Sequence, residues 1–331
     1  MFFRVDMNKI IATGHVMRCL AIADEFLSHG ENSTFIVTDR EAADFIEKKG
    51  YNTILLHSSY DDLDSELDEL KEIISQYAID RMIVDSYFVT ERYFRELKGV
   101  TSVTYIDDMN AFFYDVDRIV APGNWISRER YLDRYSGSGV KLLLGTAYVP
   151  LRKEFQNLSG NHNVIDVMIT TGGTDTYEMA LRLLDRISVT HSEWKVSAIS
   201  SSQKVRDKYG NGNGNISVLS GISNMAEVMM GAKTAISASG TTLFELCACG
   251  VPTVCFSFAD NQLEFADTMG KEGIMEYVGD ARYYDTIVED IIEKIEFLMY
   301  NDGKRRELAS RMSNLVDGRG TERIYKDIIE G

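Results

Sequence analysis

A histidine that follows a glycine, where an apolar run gives way to an amphipathic helix, is the residue of this chain best suited to move a proton. Phe2–Val5 reads as a strand, and Val16, Leu20, Ala23 and Leu27 have the spacing of a helix with one buried face. Gly14 and His15 therefore fall in the first strand-to-helix loop. In an open α/β sheet such loops lie at the carboxyl ends of the strands, where ligands bind. The helix dipole opposes protonation there and favours a neutral imidazole, the form a general base needs. The same position suits an ordinary helix-capping histidine. Carboxylates follow or end strands of this half, at Asp6, Asp85, Asp107 and Asp108, and Tyr87 lies just beyond Asp85. His29, His57, His162 and His191 lack such a setting.

The second half offers a different chemistry. Two loops rich in Gly, Ser and Thr, Thr170-Thr-Gly-Gly-Thr-Asp175 and Ala238-Ser-Gly-Thr-Thr242, each stand between a strand and a helix. Backbone amides at such helix starts suit a diphosphate. Neither loop has the GxxxxGK[ST] or GxGxxG pattern. Glu245 lies one turn into the second helix, where a carboxylate can accept bonds from the hydroxyls of a ribose. The reading from the residues is a nucleotide site in the second half and catalytic groups in the first.

These residues need strands and helices in alternation, and the chain supplies them. Apolar runs at Ser33–Thr38, Asn52–Leu56, Arg81–Asp85, Ser102–Ile106, Asp117–Val120 and Lys141–Leu144 are separated by helical patterns, which implies βαβ units and a parallel sheet. Val164–Ile169, Trp194–Ile199, Ile216–Leu219, Thr234–Ala238 and Thr253–Phe258 repeat the layout. Asp260-Asn-Gln262 reads as the cap of a further helix. Residues 285–331 read as helical, with a break at Asp317-Gly-Arg-Gly320. At 331 residues two domains are expected, 1–151 and 152–331. The net charge of −16, with no basic block, argues against nucleic-acid binding. No run reaches the roughly 20 apolar residues of a membrane span. The opening lacks a signal-peptide pattern, so a cytoplasmic protein is expected. None of the four cysteines forms a CxxC pair, so zinc is not expected.

Several motifs together carry a resemblance. The run R-V-D…A-T-G-H-V-M-R-C-L-A-I-A at 4–23 resembles the N-terminal motif of the UDP-2,4-diacetamido-2,4,6-trideoxy-β-L-altropyranose hydrolases of pseudaminic acid biosynthesis, to which spore-coat polysaccharide proteins are related. I-V-D-S-Y at 83–87, I-D-D at 106–108, G-T-A-Y-V-P-L-R-K-E-F at 145–155 and G-G-T-D at 172–175 are similar to further motifs of that family. So are S-A-S-G-T-T-L-F-E at 237–245, G-V-P at 250–252, D-N-Q at 260–262 and D-G-R-G-T-E-R at 317–323. The resemblance implies the GT-B fold, two doubly wound parallel-sheet domains facing a cleft, and transfer of the sugar to water. It implies His15 as base, with Asp6 and Tyr87 as its catalytic companions. Gly14, Arg18, Gly172, Gly173, Thr174, Ser239, Gly240, Thr241, Thr242 and Glu245 are then expected at UDP, and Asn261 and Gln262 at the diphosphate or sugar. No cofactor is implied, and no DxD-like pair sits in the second-half loops to hold a metal. Ala12 stands where a glycine is usual, and Ser86 where some members carry a histidine, which bears on sugar specificity. A glycosyltransferase on the same fold and a non-catalytic nucleotide-sugar sensor are the alternatives.

Overall fold

The apolar runs of the first half become strands that all pair in parallel. The computed structural model describes every residue except 9–12, 124–126, 159–162, 173, 174, 176, 211 and 213. Strands β1 (Phe2–Val5), β2 (Thr34–Val37), β3 (Asn52–Leu55), β4 (Arg81–Asp85), β5 (Ser102–Ile106), β6 (Arg118–Ala121) and β7 (Lys141–Leu144) form a sheet in the order β3-β2-β1-β4-β5-β6-β7. A second sheet has the order β10-β9-β8-β11-β12-β13. Its strands are β8 (Ile165–Thr170), β9 (Val196–Ile199), β10 (Ile216–Leu219), β11 (Ala232–Ala238), β12 (Thr253–Ser257) and β13 (Glu276–Asp280). Counted from its own first strand, each sheet begins 3-2-1-4-5-6, the doubly wound order. The winding reverses between β1 and β4 in one sheet and between β8 and β11 in the other, and the carboxyl ends of the strands at such a reversal are where doubly wound sheets bind ligands.

Helices cover the sheets. Those of the first half are α1 (Gly14–Ser28), α2 (Arg40–Glu47), α3 (Leu67–Gln76), α4 (Glu91–Leu97) and α5 (Arg128–Arg134). Then follow α6 (Met179–Thr190), α7 (Gln203–Tyr209), α8 (Met225–Met230), α9 (Thr242–Cys249) and α10 (Asp260–Lys271). The last are α11 (Ile287–Tyr300), α12 (Asp302–Leu315) and α13 (Gly320–Glu330). Side chains alternate along each strand, so Met82 and Val84 join the core under α3 and α4 while Ile83 joins the core under α1.

The chain divides into two compact units, Met1–Lys153 with Arg319–Gly331, and Glu154–Gly318. This differs from the sequence reading, which assigns all of 152–331 to the second domain. The reason is packing: Ile324 and Ile328 of α13 are buried in one core with Phe3, Val16, Cys19 and Phe26. Arg118 and Lys141 fix the helix further through Asp327, at 2.9 and 2.7 Å. Close backbone approach makes glycine necessary on the way back. A Cβ at Gly320 would lie 2.0 Å from the Val149 carbonyl oxygen, and one at Gly318 would lie 2.1 Å from that of Phe155.

Candidate active site

β4 delivers Asp85 to the carboxyl edge of the first sheet, in register with Val5 of β1. The loop after β1 leads into α1, and His15, Arg18 and Cys19, spaced three and four apart, share the helix face turned toward Asp85. The Asp85 carboxylate is buried, and three side chains of α1 converge on it. His15 Nδ1 lies 2.5 Å from Oδ1. Arg18 donates from Nε to Oδ2 and from Nη2 to Oδ1, both at 2.6 Å. Cys19 Sγ donates to Oδ2 at 3.5 Å. Arg18 also reaches Asp108, just beyond β5, with Nη1 2.7 Å from Oδ2. Tyr87 donates to the same oxygen at 3.3 Å, and its ring stands edge-on to the imidazole with centroids 4.5 Å apart.

Electrostatics fix the proton positions. Burial would raise the Asp85 carboxyl, but Arg18 and then His15 outweigh it and hold it well below the usual carboxylate range. Asp85 is therefore an acceptor only, and the 2.5 Å contact requires the proton to sit on Nδ1 of His15. Arg18 Nη2 lies 3.2 Å from Nδ1 because both donors share Oδ1. The lone pair of a neutral His15 is then on Nε2, which makes no hydrogen bond among the described residues. Burial opposes the Arg18 charge, yet Asp108 and Asp85 keep the guanidinium protonated. Burial and the Asp108 charge push the Tyr87 hydroxyl up, so it stays a donor.

Asp6 does not join this group. Arg4, fully buried, approaches Asp6 to 2.7 Å as an ion pair whose Nη1 and Oδ2 are not aligned for a hydrogen bond. Its other nitrogens meet Glu66 at 2.6 and 2.7 Å, and Tyr93 donates to Glu66 at 2.8 Å. Thr38 donates from its hydroxyl to Asp6 at 2.8 Å. Asp6 thus ties the end of β1 to the end of β2, a positioning task. Asp107 is likewise occupied, accepting from the amides of Met109 and Asn110 and from the Tyr131 hydroxyl. It shapes the turn that presents Asp108. Arg18, expected at the nucleotide, turns all three guanidinium nitrogens toward Asp85 and Asp108.

The two loops of the second unit differ from each other. Gly172 follows β8, whereas Gly173 and Thr174 lie outside the described residues, as do Ala12 and His162. The start of α6 is closed: Asp175 accepts from the amides of Met179 and Ala180 at 2.7 and 3.0 Å. These two amides are satisfied by the chain itself. The start of α9 carries no such cap, since Thr241 makes no side-chain capping bond. Ser239 is buried and donates both its amide and its hydroxyl to the Phe256 carbonyl, which anchors the loop to β12. Gly14, Gly172 and Gly240 have open space where a Cβ would stand. Glu245 lies in the first turn of α9 and is partly buried. Asn261 and Gln262 are inside the first turn of α10 rather than capping it, because Ala259 is the cap residue. Gln262 accepts from the Phe258 amide at 2.9 Å, and Asp260 pairs with Arg282 at 2.6 Å. Among the described residues no three His, Cys, Asp or Glu side chains gather to hold a metal ion, and no helix is long and apolar enough to cross a membrane.

Residues 193–320 match the sequence family described as the glycosyltransferase family 28 C-terminal domain. The chain is 22% identical over 280 residues to the uncharacterized protein MJ1062 of Methanocaldococcus jannaschii, a match covering 79% of this chain and 56% of that protein. The chain thus spans little more than half the length of that curated relative. Among solved structures it is similar to MurG of Acinetobacter baumannii, with a TM-score of 0.72 and 12% identity, covering 100% of this chain and 99% of that one. It is also similar to the UDP-GlcNAc 2-epimerase of Methanocaldococcus jannaschii, with a TM-score of 0.62 and 13% identity over 100% and 99% of the two chains. These likenesses, with the two doubly wound sheets, make the fold one of the GT-B type.

Proposed function

We propose that the protein hydrolyses a UDP-linked 2,4-diacetamido-2,4,6-trideoxyhexose to UDP and free sugar, as a cytoplasmic step toward a nonulosonic acid such as pseudaminic acid. The observation that carries this reading is the His15–Asp85 pair, whose geometry supports a lone pair on Nε2 of a neutral imidazole, free to act as base. In the reaction Nε2 takes a proton from water while the water oxygen bonds to the anomeric carbon. The bond from that carbon to the β-phosphate oxygen breaks, and its electron pair leaves with UDP. One displacement inverts the anomeric centre, and no covalent nucleophile is required. Asp85 stabilises the imidazolium that forms, and Tyr87 borders the ring. In the second unit the uncapped start of α9, with the amides of Gly240–Thr242, suits the charge developing on the diphosphate. Glu245 suits the ribose hydroxyls, and the open space at Gly14, Gly172 and Gly240 suits close approach of a ligand. The family 28 match in this half and the name of the UDP-GlcNAc 2-epimerase support a UDP-sugar as the ligand.

The test is the reaction in ¹⁸O-water with the UDP-sugar and no other acceptor. The label is expected in the sugar, with the inverted anomer in fresh product and no loss of rate in EDTA. Label in UDP would mean attack at phosphorus. The family 28 match also favours a second reading, a glycosyltransferase, and in that case the donor stays intact in water alone.

A further inference from the structure

The arrangement around His15 holds one cation and two anions whose balance acts on the base. Asp85, on β4, contacts the imidazole directly. Arg18, one turn further along the same helix as His15, contacts Asp85 through two nitrogens and lies 3.2 Å from Nδ1. Asp108, after β5, reaches the group through Arg18 and Tyr87, and Cys19 donates to Asp85. Tyr87 packs against the ring as a neutral phenol. The Arg4, Asp6 and Glu66 group is paired within itself.

A buried carboxylate alone beside an imidazole favours the imidazolium, which has no lone pair to offer water. We infer that Arg18 is a positioning residue for the base: it counters the Asp85 charge so that His15 releases its proton, while Asp108 divides the Arg18 charge and limits that effect. The Arg18–Asp108 ion pair therefore sets the pH at which the site begins to work. The inference rests on His15 being the base of the proposed hydrolysis, and its chemistry is readable without turnover.

The experiment follows the His15 Cε1 proton by NMR across pH in the full chain, beside the pH–rate profile. In Arg18→Met the titration midpoint and the acidic limb are expected to move up together by about one pH unit or more, the effect of losing a charge at this range. In Asp108→Asn both are expected to move down, since Arg18 then serves Asp85 alone. A midpoint that stays put or moves the opposite way in either folded variant overturns the inference. If Arg18→Met fails to fold, Asp108→Asn decides by the sign of its shift. Opposite shifts in a protein that leaves UDP-sugars intact would uphold the role of Arg18 and remove the hydrolase reading. Unmoved midpoints in an active hydrolase would do the reverse.

Discussion

Asp85 Oδ1 and His15 Nδ1 lie 2.5 Å apart although 70 positions separate them in the chain. The contact exists because β1 and β4 are neighbours at the reversal of the winding, so the first turn of α1 and the end of β4 meet. The proton on Nδ1 is then committed to Asp85, and the other ring nitrogen carries whatever chemistry the imidazole performs.

Replacing His15 with Asn removes that nitrogen and little volume. Turnover is expected to fall by about 10²–10⁴, the usual contribution of a general base, with UDP affinity nearly unchanged. Steady-state kinetics alongside UDP calorimetry measure both, and near-normal turnover would exclude His15 as the base.

Glu245→Ala is expected to weaken UDP binding by roughly 10- to 150-fold, the cost of losing charge-assisted hydrogen bonds of about 1.5–3 kcal/mol. Gly240→Val is expected to weaken it too, while melting close to the wild-type temperature, because open space receives the new side chain. Calorimetry and a thermal melt separate the two effects. An unchanged Kd in both variants would move the nucleotide away from α9.

Asp85 also predicts how stability depends on acid. Its folded carboxyl is held below the unfolded value of about 3.9, so the ionised form contributes stability that is fully present above that pH. The contribution is lost as pH falls toward the folded value, because the unfolded chain takes up the proton first. Urea melts from pH 6 down to about pH 3 are therefore expected to lose stability more steeply in the wild type than in Asp85→Asn. Parallel slopes would mean that Asp85 is not ionised and paired in the folded protein.

Gly320→Ala drives a methyl group into the Val149 carbonyl, a clash expected to cost about 1–3 kcal/mol. Hydrogen exchange is expected to show weaker protection in α1, which packs on α13, and unchanged protection in β8 and β11. Equal loosening of both units would contradict the assignment of α13 to the first.

The sequence announces most of these elements because their apolar runs are dense. It hides α7, where Val205 and Tyr209 alone are buried, and β13, whose Glu-Tyr-Val-Gly-Asp offers just two apolar residues. His15 is recognisable by its loop, but its partner is not. Asp85 and Asp107 look equivalent in the sequence, since one ends a strand and the other directly follows one. They differ only in what the fold brings to them: α1 to Asp85, the amides of Met109 and Asn110 to Asp107. Asp6 is the acid that most closely precedes His15 along the chain, yet Arg4, two residues earlier and so on the same side of the strand, engages it. Asp175 similarly sits in a glycine-rich loop that resembles an anion site, and its own carboxylate fills the helix start.

The return of α13 to the first unit has a consequence for how the protein is made. Ile324 and Ile328 leave the ribosome only after the whole of Glu154–Gly318 has been synthesised. Until then Phe26 and its neighbours on α1 present an uncovered apolar face, and the unit begun first is finished last. A nascent chain halted before residue 319 would therefore carry a complete second unit beside an unfinished first one, the state most exposed to chaperones and to aggregation.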